Sequence, residues 1–351
     1  MSFLPTATLK RIVPGTGPAG AKIAIVGEAP GAYENAQLKP FVGPAGGVLE
    51  QCLHAAGLIR SEVYLTNVIK VQPKGNDISP FFDGKTFSAE GQDWRTQLYA
   101  ELDDVKPNVV VACGKTAMAA LAGRVAITAL RGYVFPTVGL AHCQKVIPTI
   151  HPAACLYDRK GGDKGSLATK DFKPYLYRYV IAGDFKKARV EGEFQELRRP
   201  ERQLIFEYEN VNEALEWLAY YEDQAVVGFD IEVVNFSLAC ISFCSSPELA
   251  CSIPLAGCWS EYDEMLLWRG IQRVLRNDRS TKIVHNGYFD VQFLLKECGI
   301  EVKGPVHDTM IGHSVLFPEL PKGLGFVGSV YCGAQAFWKD LWKFDNIKDE
   351  A

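Results

Sequence analysis

Short apolar runs alternate with amphipathic stretches through the first half of the chain. Ile23-Ala-Ile-Val26 is apolar throughout and leads into Gly27-Glu28-Ala-Pro-Gly31. The pattern predicts a helix over 46–56, a strand over 63–68 and a loop rich in Pro, Gly and Asp over 72–84. It then predicts a helix over 92–104, a strand over 108–112 and a strand over 145–150 that ends at His151. Continuous apolar runs separated by helices indicate strands buried on both faces, as in a parallel α/β sheet. Glu28, Asn67 and His151 stand at three of the strand ends. In open α/β sheets the ligand crevice lies beyond the carboxyl ends of the strands, so three distant segments should converge on one site.

The pattern breaks at 184–203, a charge-dense stretch with few apolar positions. A domain boundary is placed there. It gives a first domain over 1–190, a charged linker over 191–203 and a second domain over 204–351. The second half opens with a helix over 211–221. Strands follow over 225–232, 236–244 and 250–253, then a helix over 262–276, a strand over 282–286 and a helix reaching 295. Strands first and helices later predict a mixed sheet of α+β type.

Composition narrows the class. Of 351 residues, 48% are hydrophobic and 22% charged, which suits a globular protein with more than one core. No apolar run approaches the roughly 18–20 residues of a membrane span, so no membrane association is expected. No secretory signal is read at the start, and the expected location is cytoplasmic. The formal charge of −4 divides unevenly: 23 Lys+Arg against 15 Asp+Glu over 1–190, and 14 against 26 over the remainder. A basic first half suits a polyanion such as nucleic acid. The ten cysteines mostly sit in apolar surroundings, as in Val-Val-Val-Ala-Cys113, and read as reduced thiols. Cys240 and Cys244 share one face of a strand and form no C-x-x-C pair, so packing is their expected role rather than zinc. Gly114-Lys115-Thr116 lacks the glycine five positions before its lysine that a phosphate-binding P-loop needs.

Four segments of the first half belong together: Gly27-Glu-Ala-Pro-Gly31 with Glu34, Pro40-Phe41-Val-Gly43-Pro-Ala-Gly46, Thr66-Asn67-Val-Ile-Lys70, and Ile150-His151-Pro-Ala-Ala154. In this order and spacing they resemble the uracil-DNA glycosylase superfamily, nearest its family 4, over about 20–182. The resemblance implies a three-layer parallel-sheet domain that hydrolyses the N-glycosidic bond of deoxyuridine in single- or double-stranded DNA. The target base must leave the stack and enter a pocket. Phe41 would stack on uracil. The Asn67 amide would donate to one edge atom and accept from N3–H, selecting uracil over cytosine. His151 would donate a hydrogen bond to the developing oxyanion. Glu34 is expected to activate water and Glu28 to line the pocket, with Gly27 and Gly31 beside the base. The loop after His151 offers Leu156 and Tyr157 as a wedge and Arg159 and Lys160 for phosphates. Family 4 members usually hold an iron–sulfur cluster on four cysteines. Here Val71 and Trp94 stand where two of them are expected, and no cluster is expected.

In the second half, Phe229-Asp230-Ile-Glu232 ends a hydrophobic strand, and strand alternation puts both carboxylates on one face. His285-Asn286-Gly-Tyr-Phe-Asp290 and His307-Asp308-Thr-Met310 follow. Neighbouring carboxylates on a strand are costly to bury unless they hold a cation. These motifs resemble the 3′–5′ proofreading exonuclease domain of bacteriophage-type family A DNA polymerases, over about 203–351. The implied fold is ribonuclease H-like, α+β. Asp230, Glu232 and Asp290 would hold two Mg²⁺ or Mn²⁺ ions, supported by Asn286 and by Asp308, which is not itself a ligand. The family's last carboxylate motif, Tyr-x-x-x-Asp, is not met before Ala351; Tyr331 is followed four residues later by Gln335. A chain that stops short of that motif is the expectation, with a polymerase domain or subunit as partner. The expected function is uracil excision joined to an incomplete 3′–5′ proofreading exonuclease domain, from which weak or no nuclease activity is expected as the chain stands. The competing reading is a non-catalytic module that grips DNA and senses uracil.

Overall fold

The computed structural model describes residues 11–156, 174–199 and 201–332. Contacts divide the chain into two units. The first holds residues 1–199, 319–321 and 325–351; the second holds 200–318 and 322–324.

The first unit is built on a five-stranded sheet of order β2-β1-β5-β7-β6. Its strands are β1 (Ile23–Gly27), β2 (Tyr64–Asn67), β5 (Val109–Cys113), β6 (Phe135–Pro136) and β7 (Lys145–Thr149); a small hairpin of β3 (Phe82–Asp83) and β4 (Thr86–Phe87) lies apart from it. Neighbouring strands are parallel except β6, which runs antiparallel to β7. The period of two along the central strands divides their side chains between two cores. Ile23, Ile25, Val109 and Val111 enter one, and Ala24, Val26, Val110 and Ala112 enter the other. Both faces are therefore apolar, which is why these strands read as unbroken hydrophobic runs.

Helices cover both faces. The first six are α1 (Ala32–Gln37), α2 (Pro44–Ala55), α3 (Ala89–Val105), α4 (Lys115–Ala122), α5 (Ile127–Leu130) and α6 (Tyr177–Glu191). α2 and α6 close the first core with Leu49, Leu53, Ile181 and Phe185. α3 and α4 close the second with Leu98, Leu102, Met118 and Leu121. In α3 the buried residues Trp94, Leu98, Leu102 and Val105 form one stripe, and Ser88 caps the amino end by accepting from the Gly91 amide. The expected three-layer architecture is the one observed.

α6 is the helix in the last part of the first unit and ends at Glu191. It runs through the start of the charge-dense stretch, with Asp184, Phe185 and Ala188 fully buried. Lys186 and Arg189 fall on the other side of the same helix, so a one-sided apolar stripe was masked by the charges around it.

The second unit has a six-stranded mixed sheet of order β13-β12-β9-β10-β11-β8. Its strands are β8 (Gln203–Ile205), β9 (Val226–Val234), β10 (Ser237–Cys244), β11 (Leu249–Pro254), β12 (Thr281–Val284) and β13 (Val306–Asp308). β9, β10 and β11 form an antiparallel meander, while β12 joins β9 and β13 in parallel. α7 (Val211–Glu222) and α8 (Glu261–Arg276) cover the apolar face, and α9 (Tyr288–Lys296) and α10 (Thr309–Leu316) follow β12 and β13. Ser260 caps α8, three acids occupy its first turn and Arg273 and Arg276 its last, in keeping with the helix dipole. The mixed α+β class is as expected. α11 (Leu324–Tyr331), which the expected 204–351 domain would contain, groups with the first unit in all but its first residue.

Candidate active sites

The parallel register brings the first site together. Gly27 at the end of β1 lies opposite Asn67 at the end of β2. β5 and β7 end beside them, with Cys113 paired to Thr149. The residues that follow these strands are Glu28, Gly114 and, one position beyond Ile150, His151. Glu28, Asn67 and His151 therefore lie at the carboxyl ends of β1, β2 and β7, on one end of the sheet.

Close packing fixes the positions of Asn67 and Phe41. A Cβ on Gly27 would collide with Asn67 Oδ1 and come within 2.7 Å of Phe41 Cζ, so only glycine leaves space for both. Phe41 has φ +54°, an uncommon value for an aromatic residue. Its ring is buried and lies 6.2 Å from the His151 ring at an interplanar angle of 24°. Behind Asn67, the neighbouring Thr66 hydroxyl donates to Glu101 at 3.0 Å and accepts from buried Lys70 at 2.5 Å. Lys70 also pairs with Glu101, so β2 is anchored on its far side by a closed polar cluster.

Glu34 supports the Phe41 loop. Its Oε2 accepts from the Gly31 amide at 3.1 Å, and its Oε1 accepts from the amides of Val42 at 3.1 Å and Gly43 at 2.8 Å. Both oxygens thus hold backbone on either side of the Phe41 turn. Glu28 Oε2 accepts from the Thr116 hydroxyl at 2.5 Å. The sequence pattern does not mark Thr116 as a site residue, since Gly114-Lys-Thr fails as a phosphate loop. The signal available was its position: the second residue of the helix that follows a central strand. Gly114 has φ +89°, and a Cβ there would lie 3.2 Å from His151 Cβ.

The tautomer of His151 follows from its bonds. Nδ1 accepts from the Ala153 amide at 3.2 Å, which leaves Nε2 to carry the proton of a neutral ring. Burial lowers the His151 pKa below its ordinary value, against the nearby carboxylates of Glu28 and Glu34, which act to raise it. Leu156 follows the short helix after His151 and is partly exposed. Tyr157, Arg159 and Lys160 lie outside the described residues.

Val71 and Trp94, at the two positions where the family pattern has cysteine, are buried in the second core with Phe81 and Phe87. Neither offers a thiolate, so these positions do not fit an iron–sulfur cluster.

The second site lies on β9. Phe229 and Ile231 are buried, and Asp230 and Glu232 share the opposite, exposed face. Asp290, in the first turn of α9, is buried and its Oδ1 accepts from the Ile231 amide at 3.2 Å. Burial raises its pKa, the Ile231 amide opposes this, and the charges of Glu232 and Asp308 add to the rise. Asp308 caps α10. Its Oδ1 accepts from Met310 at 2.8 Å, Asn286 at 3.1 Å and Ile311 at 3.3 Å, and its Oδ2 from Gly287 at 2.9 Å. Burial acts to raise the Asp308 pKa, but these four amides outweigh it and hold the carboxyl below the usual range. Asn286 takes a left-handed turn, φ +59°, which brings its amide to Asp308. Carboxylate oxygens suit a hard divalent ion, and a cation would relieve the crowded charge at Asp290. By donor chemistry the residues fit such an ion. Among the described residues, no three His, Cys, Asp or Glu side chains are gathered as a ready metal site.

Comparison with known proteins agrees with this division. Residues 14–176 match the uracil DNA glycosylase superfamily, and residues 204–341 match a 3′-5′ exonuclease family of DNA polymerase A type. A type-4 uracil-DNA glycosylase of Archaeoglobus fulgidus is 36% identical over 156 residues, covering 43% of this chain and 74% of the relative. A DNA polymerase of Bacillus phage SP01 is 24% identical over 343 residues, covering 88% of this chain and 34% of the polymerase. Among solved structures, Escherichia coli RNase D aligns with a TM-score of 0.29 and 21% identity, covering 38% of this chain and 33% of that one. The chain spans about a third of the phage polymerase and of RNase D. On these matches, the chain belongs to the uracil-DNA glycosylase superfamily and carries a 3′-5′ exonuclease domain behind its glycosylase domain.

Proposed function

We propose that the first unit excises uracil from DNA by hydrolysing the N-glycosidic bond. The observation that carries this reading is the packing of Asn67 and Phe41 against Gly27, with the His151 ring stacked on Phe41 and its Nδ1 accepting from Ala153. Asn67 reads the uracil edge, and Phe41 stacks on its face. Breaking the bond leaves negative charge on the base and positive charge on the sugar. His151 Nε2–H donates to the uracil oxygen where the negative charge gathers, and a neutral donor keeps its proton while the anion leaves. We assign the two carboxylates differently from the sequence expectation. Glu34 is occupied by three amides and holds the Phe41 turn, with Gly31 at its start. Glu28, which is bonded by the Thr116 hydroxyl and not by a clamp of amides, takes the role of positioning the attacking water and offsetting sugar charge. Leu156 begins the loop that would meet the DNA, and Tyr157, Arg159 and Lys160 are assigned to the same contact.

For the second unit the proposed activity is 3′–5′ removal of nucleotides. Asp230, Glu232 and Asp290 would hold Mg²⁺ or Mn²⁺, which would supply water activation and stabilisation of the leaving oxygen. Asp308 keeps the Asn286 turn and the start of α10 in place. The resemblance to a phage polymerase over most of the chain supports a polymerase, in the same polypeptide or as a subunit, as partner. Among the described residues no helix is long and apolar enough to cross a membrane, and the proposed setting is the cytoplasm of a bacterial or phage-infected cell. A single-turnover assay on a uracil-containing oligonucleotide tests the main claim: abasic product is expected, and intact substrate with properly folded protein refutes it.

A further inference from the structure

Residues 325–332 fall inside the stretch that matches the 3′-5′ exonuclease family, 204–341, yet they pack within the first unit. Their contacts are specific. Arg131 is buried against Asp184 of α6, with Nε–Oδ2 at 3.0 Å and Nη2–Oδ1 at 2.5 Å. The remaining guanidinium nitrogen, Nη1, donates to Ser329 Oγ at 2.9 Å, and Nη2 also reaches Ser329 O at 3.4 Å. Phe326 lies under the guanidinium at 5.4 Å and packs on the first core. The Tyr133 hydroxyl donates to Gly325 O at 2.7 Å. Lys187 bridges Gly132 O at 2.9 Å, Cys332 O at 3.0 Å and Ser329 O. Gly132 has φ +77°, and a Cβ there would come within 2.7 Å of both Asp184 Oδ1 and Ser329 O. The helix therefore sits against backbone with no room for a side chain between.

The same carboxylate touches the strand that presents His151. Asp184 Oδ2 accepts from the Thr149 hydroxyl at 2.6 Å, and Thr149 is the last residue of β7. Thr149 O in turn accepts from the Gly114 amide at 2.8 Å, beside His151. A buried ion pair is costly to desolvate, and leaving part of it unbonded costs more. Ser329 supplies the acceptor that the Arg131–Asp184 pair itself does not provide.

We propose that residues 325–332 are a working part of the glycosylase: a strap that closes the Arg131–Asp184 pair and so holds the end of β7 where His151 is presented. Arg131, Asp184 and Ser329 are then positioning residues, acting through Thr149. This rests on the glycosylase reading. It gives a segment of the exonuclease-family stretch a task in base excision.

The test uses the full chain with Tyr133→Phe and Ser329→Ala combined, which removes the Tyr133–Gly325 bond and the Arg131–Ser329 Oγ bond without adding bulk. Phe326→Leu is a milder second variant, should the first melt far below the parent. Excision is measured under single-turnover conditions, and amide exchange is followed by mass spectrometry. Both variants are expected to slow the maximal rate, by about tenfold for the double variant and less for Phe326→Leu, with half-saturating DNA concentration changed less than twofold. Exchange should quicken together in α11 and in β7. Quicker exchange in α11 with unchanged β7 exchange and an unchanged maximal rate overturns the strap. So does a loss expressed only in DNA affinity. A parent protein without excision refutes the glycosylase reading instead, while the paired exchange of α11 and β7 still decides whether the strap holds the strand.

Discussion

The two sites of this chain handle charge in opposite ways. At the first, carboxylates are bonded by the protein's own donors: Glu34 by three backbone amides and Glu28 by Thr116. The group proposed to meet the leaving base is a neutral imidazole. At the second, Asp230 and Glu232 lie on an exposed strand face, and buried Asp290 is pushed toward its protonated form by burial and by its acidic neighbours. In the proposed reading the first site suits a developing anion and the second a cation. Hydrolysis of a glycosidic bond and hydrolysis of a phosphodiester place these different demands, and the first answers at strand ends, the second within β9.

This contrast can be broken by mutation. The largest effect is expected at His151. His151→Ala removes the oxyanion donor, and the single-turnover excision rate should fall about 10²–10³-fold with nuclease activity unchanged. Asn67→Ala should cost roughly 10–100-fold, from the loss of edge hydrogen bonds worth ~1–3 kcal/mol. Competition between uracil and cytosine substrates should then show a smaller preference. Glu34→Gln retains the shape but not the charge of the Phe41 clamp. Charge-assisted bonds are about twice as strong as neutral ones, so a fall of roughly fivefold in excision is expected. A larger loss in Glu28→Gln than in Glu34→Gln would support the assignment of the water to Glu28, and the reverse order would restore the sequence expectation.

The smallest effect is on pH. Burial lowers the His151 pKa, so the unfolded chain binds the proton more readily than the folded one. Stability then rises with pH between the lowered folded value and the ordinary value near 6.5, and this contribution is flat above it. Excision should fall on the acid side of that window, as the donor-only imidazolium forms and loses the Ala153 bond. In a pH–rate series the acid limb should disappear in His151→Ala.

Much of this was legible in the sequence, because the first site sits at strand ends and the second on an alternating strand, β9. The unbroken apolar runs of β1 and β5 announced a sheet buried on both faces, and Glu28, Asn67 and His151 interrupted the pattern where β1, β2 and β7 end. The alternation around Asp230 and Glu232 gave their shared face directly. What escaped were features without a local signal. The binding of Glu34 to Gly31, Val42 and Gly43 depends on how a turn folds back. α6 was hidden by lysines and arginines beside its buried Phe185 and Ala188. The grouping of α11 with the first unit brings Arg131 and Ser329 together across 198 positions, a contact that no periodicity could indicate.

The most direct measurement is a paired assay of the intact chain on one uracil-containing, 3′-labelled oligonucleotide, first with excess EDTA and then with Mg²⁺ or Mn²⁺ restored. The account predicts abasic product in both conditions and release of 3′ nucleotides only when the divalent ion is present. Failure to form abasic product in either condition, or excision that vanishes with the chelator and returns with the metal, would contradict it.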